Sequence, residues 1–265
     1  MPETKILHIP KELQDFVQNV SLRIYDYGES SMILPSGKID IVLQKEFSFY
    51  HKVNGQKTWN LRPKAFVGGL HDQLIQFNST RDNNELLVIT LHEGKGNTLF
   101  NENAFSLFNT TRSIRFNSSQ MSIFEAANYD QLEMHHFLKL VDKEPEDFPI
   151  NHKLILSAIE IIKEHHGFIS ISKLSDRIGF SLSHFRKLFR EIVGCSPSVF
   201  CRLIRVKKSL QSIKDYPKAT LTDIAHQQCY ADQSHFIKDF KKVTRLAPNK
   251  FLKFCERKNY LPTSI

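Results

Sequence analysis

A ten-residue pattern occurs twice in this chain, fifty residues apart, and it restricts the C-terminal part to a duplicated supersecondary unit. Ile171-Ser172-Lys173-Leu174-Ser175-Asp176-Arg177-Ile178-Gly179-Phe180 returns as Leu221-Thr222-Asp223-Ile224-Ala225-His226-Gln227-Gln228-Cys229-Tyr230. Phe189-Arg190 then matches Phe240-Lys241, and Pro197 matches Pro248, so the offset grows to 51 through one residue inserted near 232. Two copies are too few for a solenoid.

Each copy reads as a short helix, a tight turn and a second helix. In the first, Leu174 and Ile178 form an apolar face, Gly179 permits the turn, and Ser181 or Ser183 is placed to cap the helix that follows. That helix packs through Phe185, Leu188, Phe189 and Ile192, which leaves Ser183, Arg186, Lys187 and Arg190 facing out. In the second copy Phe236, Phe240 and Val243 supply the core, while Gln233, Ser234, Ile237, Lys238 and Lys241 face out. Such short polar, cationic faces suit a major groove. A single one would ordinarily be a solvated helix surface; it is the duplication that points to duplex DNA. Between the copies Pro197 starts a helix that continues through Phe200, Leu203, Ile204 and Leu210 to about Lys214. Its expected length of roughly 27 Å compares with about 34 Å between successive major-groove faces, so one rigid connector can hold both outer helices against one side of a duplex.

Charge supports the same division. Residues 151–265 hold 21 Lys and Arg against 9 Asp and Glu, a net of +12, whereas the remainder carries 15 against 19, a net of −4. A basic excess confined to one part is expected if that part alone faces a polyanion.

Residues 151–255 resemble the AraC/XylS family of bacterial regulators. The first unit matches through Ile178-Gly179-Phe180-Ser181, Phe189, Gly194 and Ser196-Pro197, and the second through Ile224-Ala225, Ser234-His235-Phe236, Phe240-Lys241 and Pro248. Arg205, with the small Ser209 after it, matches the linker helix. The resemblance implies transcription regulation with RNA polymerase as a partner, and it leaves activation and repression open. Four positions depart from the pattern, among them Ala247, which stands where the family usually has threonine before the proline. Cys229 and Arg245 stand where the family usually has glycine, and a side chain in a left-handed conformation costs of order 1 kcal/mol; Asp239 stands where a small, half-buried residue is usual.

The expected fold class is a multidomain α+β chain: residues 1–145 form a β-rich regulatory domain, a barrel or sandwich with a following helix, and residues 151–265 an all-α DNA-binding domain. The break falls in the acidic, proline-bearing segment from Lys143 to Pro149. Short strands are expected at Met32–Leu34, Ile39–Leu43, Phe47–Tyr50, Ala65–Val67 and Leu86–Leu91, separated by turn signals such as Pro35-Ser36-Gly37 and Asn54-Gly55. Leu34 to Val42, followed by Ala65 to Gly69, resembles the β-rich sensor domains that precede some AraC-type modules, and implies sensing or oligomerisation. The aromatic residues Phe47, Phe49, Tyr50, Trp59, Phe66 and Phe77 either line a pocket for a small apolar effector or form core. Gln120–Val141 has the spacing of a helix that pairs two copies or packs on its own domain.

Other chemistries lack their patterns. There is no Walker loop, dinucleotide fingerprint, nucleophile elbow or HExxH, so no enzyme and no cofactor are expected. All four cysteines lie in the DNA-binding part, which argues against a repair alkyltransferase, and none has zinc-ligand spacing. The cysteines are expected to be reduced thiols, most of them in the core. His71, His92 and Glu93 do not form a cupin-type ligand set, and the neighbours His135-His136 and His165-His166 diverge on a helix, so no metal is expected. Without an apolar span or an export signal, a cytoplasmic location is expected. A purely architectural DNA-binding protein is the main alternative to a regulator.

Overall fold

The computed structural model describes residues 3–44, 49–53, 60–68, 70–72, 74–96, 103–114 and 148–257. The helix expected at Gln120–Val141 and the turn at Asn54-Gly55 lie outside them, as do Phe47 and Trp59.

Among the described residues ten strands precede the helices: β1 (Glu3–Ile6), β2 (Val17–Tyr25), β3 (Ser30–Ile33), β4 (Asp40–Gln44), β5 (Phe49–Val53), β6 (Asn60–Leu61), β7 (Ala65–Gly68), β8 (Ile75–Ser79), β9 (Asn84–Leu91) and β10 (Thr111–Ser113). They form a six-stranded sheet in the order β1-β2-β9-β4-β7-β10 and a four-stranded sheet in the order β3-β8-β5-β6. The strand pairs are antiparallel, with Ile41 opposite Ile89 and Val67, and Val42 opposite Val88 and Phe66.

The near-continuous apolar runs of β4 and β9 follow from burial on both faces. Ile41, Leu43, Val67, Leu87 and Ile89 pack with Leu13, Phe16, Leu70, Ala104 and Leu107. The alternate residues Val42, Phe66, Leu86 and Val88 cluster with Tyr25 and with Phe49 of the other sheet. Because strand side chains alternate, a strand covered on one side only would show polar residues at every second position. Arg62, 2% exposed, lays its guanidinium over Phe66 and Phe77 with centroid distances of 4.9 and 5.6 Å. Strands β1, β2, β6, β8 and β10 are not among those expected from the sequence. In β2 the run Val17–Tyr25 is interrupted by Gln18, Asn19 and Arg23, which hides its length.

Seven helices follow among the described residues: α1 (Ile150–Glu164), α2 (Ile171–Arg177), α3 (Leu182–Val193), α4 (Pro197–Asp215), α5 (Leu221–Gln227), α6 (Gln233–Thr244) and α7 (Pro248–Arg257). None is long and apolar enough to cross a membrane. Helix α4 joins two cores. Phe200, Cys201 and Ile204 belong with Phe185 and Phe189 of the first unit, and Leu203, Val206 and Leu210 with Phe236, Phe240 and Phe251 of the second. Cys195, Cys201 and Cys255 are buried and Cys229 is exposed.

The sheets pack directly on the first unit and on α4. Met32, Leu34 and Leu74 share a cluster with Leu203, Val206 and Leu210. The His152 Nε2–H donates to the Gly94 carbonyl at 2.8 Å, and Lys163 Nζ meets the buried Glu93 carboxylate at 2.9 Å. Although burial acts against it, that ammonium holds the Glu93 carboxyl below the usual carboxylate range. A 3-10 turn at Ala104–Leu107 lies against the end of α3, where the Arg190 guanidinium stacks 4.0 Å over the Phe105 ring.

Candidate nucleic-acid interface

The turns of the two helix-turn-helix units repeat one another hydrogen bond for hydrogen bond. In the first turn Gly179 N donates to Asp176 O and Phe180 N to Ser175 O, at 3.1 and 2.9 Å; in the second, Cys229 N donates to His226 O and Tyr230 N to Ala225 O, at 3.0 and 2.9 Å. Gly179 has φ +78° and Cys229 φ +56°, so the cysteine adopts the left-handed backbone that its position in the repeat demands.

Each outer helix is capped at its start. The Ser181 side chain accepts from His184 N at 3.3 Å, which settles the choice between Ser181 and Ser183, and Asp232 accepts from His235 N at 2.7 Å. Such caps are each worth about 1 kcal/mol. The inserted residue lies here, where Ala231 and Asp232 replace a single serine before the helix. The ends also correspond: Gly194 (φ +92°) donates to Arg190 O, and Arg245 (φ +62°) to Lys241 O, both at 2.9 Å. The Leu246 N–H then donates to Thr244 Oγ1 at 3.2 Å, which holds the turn that Arg245 makes. Arg245→Gly is therefore expected to raise stability by about 1 kcal/mol through relief of the left-handed strain. Thermal melts of the full chain check it; a loss of stability would mean that the arginine side chain holds this helix end.

Between caps and ends the apolar residues turn inward as the spacing requires. Phe185, Phe189, Phe236 and Phe240 are fully buried. Ser183, Arg186, Lys187 and Arg190 on α3, and Gln233, Ser234, Lys238 and Lys241 on α6, are exposed. Ile237 differs from the expectation: it is half-buried and packs against the second unit's core, because it borders the apolar seam of Phe236 and Phe240. The connector α4 has 19 residues and is about 28 Å long at 1.5 Å per residue.

Asp239 is 5% exposed and receives two cations from α4. Its Oδ2 accepts from Arg205 Nε at 2.9 Å and from Nη2 at 2.6 Å, and Arg202 Nε lies 3.3 Å from Oδ1. The carboxylate thus has a partner at a place where the family pattern carries none.

A cavity of about 270 Å³ lies between the sheets, with Lys207 of α4 in its lining; it answers the pocket that was one of the two readings of the aromatic residues. Val42, Phe66, Phe77, Leu86 and Val88 give it apolar lining, and Arg23, Lys38, Asp40 and Lys207 of α4 line it too. Of the aromatic residues noted in the sequence, Phe66 and Phe77 line it, whereas Phe49 lies in the core and Tyr50 is 38% exposed. Burial, then the neighbouring Lys38 charge, brings the Lys207 amine down to about 8. Burial raises the Asp40 carboxyl, against the hydrogen bond from Thr90 Oγ1 at 2.7 Å.

Two capped helices with exposed polar and cationic faces, repeated about a rigid connector, define a DNA-binding protein of the helix-turn-helix class. Residues 174–253 match the family model described as a helix-turn-helix domain, and this region is a helix-turn-helix domain of the AraC type, in a chain that is a DNA-binding transcription regulator. The chain is similar to the Msm operon regulatory protein of Streptococcus mutans, at 22% identity over 85% of this chain and 78% of that protein. It is also similar to an uncharacterized HTH-type transcriptional regulator of Staphylococcus aureus, at 29% identity over 38% of this chain but 14% of that longer protein. Among solved structures, ToxT from Vibrio cholerae aligns over 88% of this chain and 97% of its own, with 13% identity and a TM-score of 0.48. Another ToxT structure, with unsaturated fatty acid bound, aligns with 13% identity and a TM-score of 0.46, over 92% of this chain and 97% of its own.

Proposed function

We propose that this regulator reads one bipartite DNA site by placing α3 and α6 in adjacent major grooves, and that a small effector held between the sheets and α4 modulates the binding. The observation that carries the first part is the equivalence of the two exposed helix faces across a single connector. Ser183, Arg186 and Lys187 on α3, and Gln233, Ser234, Ile237 and Lys238 on α6, lie nearest the base edges. Arg and Lys reach guanine, Gln reaches adenine, and the exposed part of Ile237 touches a thymine methyl. Arg190 and Lys241 hold phosphates, together with the helix N-termini. Residues 1–145 are the regulatory unit and 151–265 the DNA-binding unit; contact with RNA polymerase and pairing of copies through residues 120–141 belong to the same proposal. Footprinting of the full chain on selected DNA tests it: a short protected site with two half-sites is expected, and uniform protection regardless of sequence would mean an architectural protein.

The cavity favours an amphipathic carboxylate as effector. Much of its lining is apolar, and three cations against one carboxylate are among the residues that line it. Bringing the Lys38 and Lys207 amines together away from water is unfavourable, and an anion between them relieves the repulsion. The sign of the pH dependence follows. Free Lys207, held at about 8, is charged at pH 7 and mostly neutral at pH 9. Binding of octanoate as a probe, measured by calorimetry, is therefore expected to weaken about tenfold from pH 7 to pH 9, and to be lost in Lys207→Met. Equal affinity at the two pH values would rule out this amine as the carboxylate partner.

A further inference from the structure

The Arg205 side chain, on α4, ties the turn between α1 and α2 to α6 of the second helix-turn-helix unit. Its Nη1 donates to the Gly167 carbonyl at 2.8 Å, in the turn that leaves α1, a helix that shares the first unit's core through Ile155, Ile159 and Ile162. Its Nε and Nη2 hold Asp239 on α6, the outer helix of the second, and its plane lies over Phe168 at 5.2 Å. Phe168 in turn meets the Tyr230 ring edge-on at 5.0 Å, in the turn that precedes α6. The contact is built for close approach: Gly167 has φ +78°, and a Cβ there would lie 2.4 Å from the Cys201 carbonyl oxygen of α4. The arginine and aspartate side chains are 15% and 7% exposed.

Packing alone does not explain this arrangement, because a buried ion pair is commonly no more stabilising than apolar residues of the same volume. What it supplies is direction. A guanidinium is a rigid planar fork whose donors leave at fixed angles. One fork that binds the first unit's turn and the second unit's helix fixes the rotation of α6 about its axis relative to the first unit. Asp239 immediately follows Lys238, so the same tie sets where the exposed face of α6 points.

Resting on the reading of α3 and α6 as the two recognition helices, we infer that Arg205 is a positioning residue, which with Asp239 sets the separation between half-sites that this protein accepts. One base pair more or less between half-sites rotates the second by about 35° and moves it by about 3.4 Å. A rigid pair of helices discriminates between such sites, whereas a loosened pair follows either.

The test uses the full chain and a bipartite duplex selected by the wild-type protein, with the spacer shortened or lengthened by one base pair. Wild type is expected to bind its own spacing about tenfold more tightly than either alternative. Arg205→Lys keeps the charge and loses the fork, and Asp239→Asn keeps the shape and loses the charge. In both, the three affinities should converge to within about twofold, while base preference inside each half-site stays as in wild type. The triple variant Arg202→Met, Arg205→Met and Asp239→Leu replaces the whole cluster by apolar residues, leaves none of its three charges unpaired, and should be equally tolerant of spacing. Variants that melt cooperatively and keep the wild-type spacing preference would overturn the inference. A wild-type protein that selects no bipartite site would instead overturn the reading on which it rests.

Discussion

Raising monovalent salt from 50 to 200 mM is expected to weaken DNA binding by the full chain about a thousandfold. The estimate assumes about six phosphates neutralised, for which log affinity falls against log salt with a slope near −5. The cations are available: residues 151–265 carry the net +12, and Arg186, Lys187, Arg190, Lys238 and Lys241 are exposed on the two outer helices. Removal of one phosphate contact, as in Lys241→Ala, should make the slope about one unit shallower and weaken all sequences alike. Fluorescence anisotropy with a labelled duplex measures both. Affinity that does not change with salt would remove the phosphate contacts from the account. Arg190 gives this measurement a second use, since its guanidinium lies on Phe105 of the 3-10 turn; Phe105→Ala should free it and strengthen binding at low salt.

The second large effect is expected at Gly194, where α3 ends against the sheets. A Cβ there would lie 2.4 Å from Leu70 Cδ1 and 2.9 Å from the Ala104 carbonyl oxygen, at φ +92°. The side chain of Leu70 belongs to the main β core and is 1% exposed, so it has little room to withdraw. Left-handed strain and overpacking add, and Gly194→Ala should cost about 2–4 kcal/mol. Gly179→Ala separates the two contributions. Its φ is +78° but a Cβ would meet nothing within 4 Å, so only the strain, about 1 kcal/mol, applies. Denaturant titrations of both variants check the difference; equal losses would mean that the sheets do not press on the end of α3.

How much of this was legible in the sequence depends on whether local rules or distant contacts decide each feature. The repeat, the inward phenylalanines and the outward cationic positions follow from helical periodicity, and the structure has them. The left-handed Cys229 and Arg245 were readable because the family resemblance puts glycine at both places, as Gly179 and Gly194 do in the first copy. The doubly buried strands β4 and β9 showed as apolar runs, whereas β2, with polar residues inside it, did not. Asp239 looked out of place because its partners Arg202 and Arg205 lie over thirty residues away in the chain. The charged part of the cavity lining was invisible for a similar reason: Lys38 and Lys207 belong to different parts of the molecule, and only the docking of α4 on the sheets brings them together. No local pattern announces the meeting of Gly94 with His152 or of Glu93 with Lys163.

Selection of bound sites from randomised duplex DNA by the full chain and by its Arg186→Ala and Lys238→Ala variants tests the reading of two recognition helices most directly. Wild type should yield one site with two half-sites, and the two substitutions should relax base preference at different positions about one helical turn apart, each at a cost of about 1–3 kcal/mol. If both variants select the wild-type sequence with uniformly weaker binding, these residues touch only the phosphate backbone. If both relax the same base pairs, the two helices do not occupy adjacent grooves.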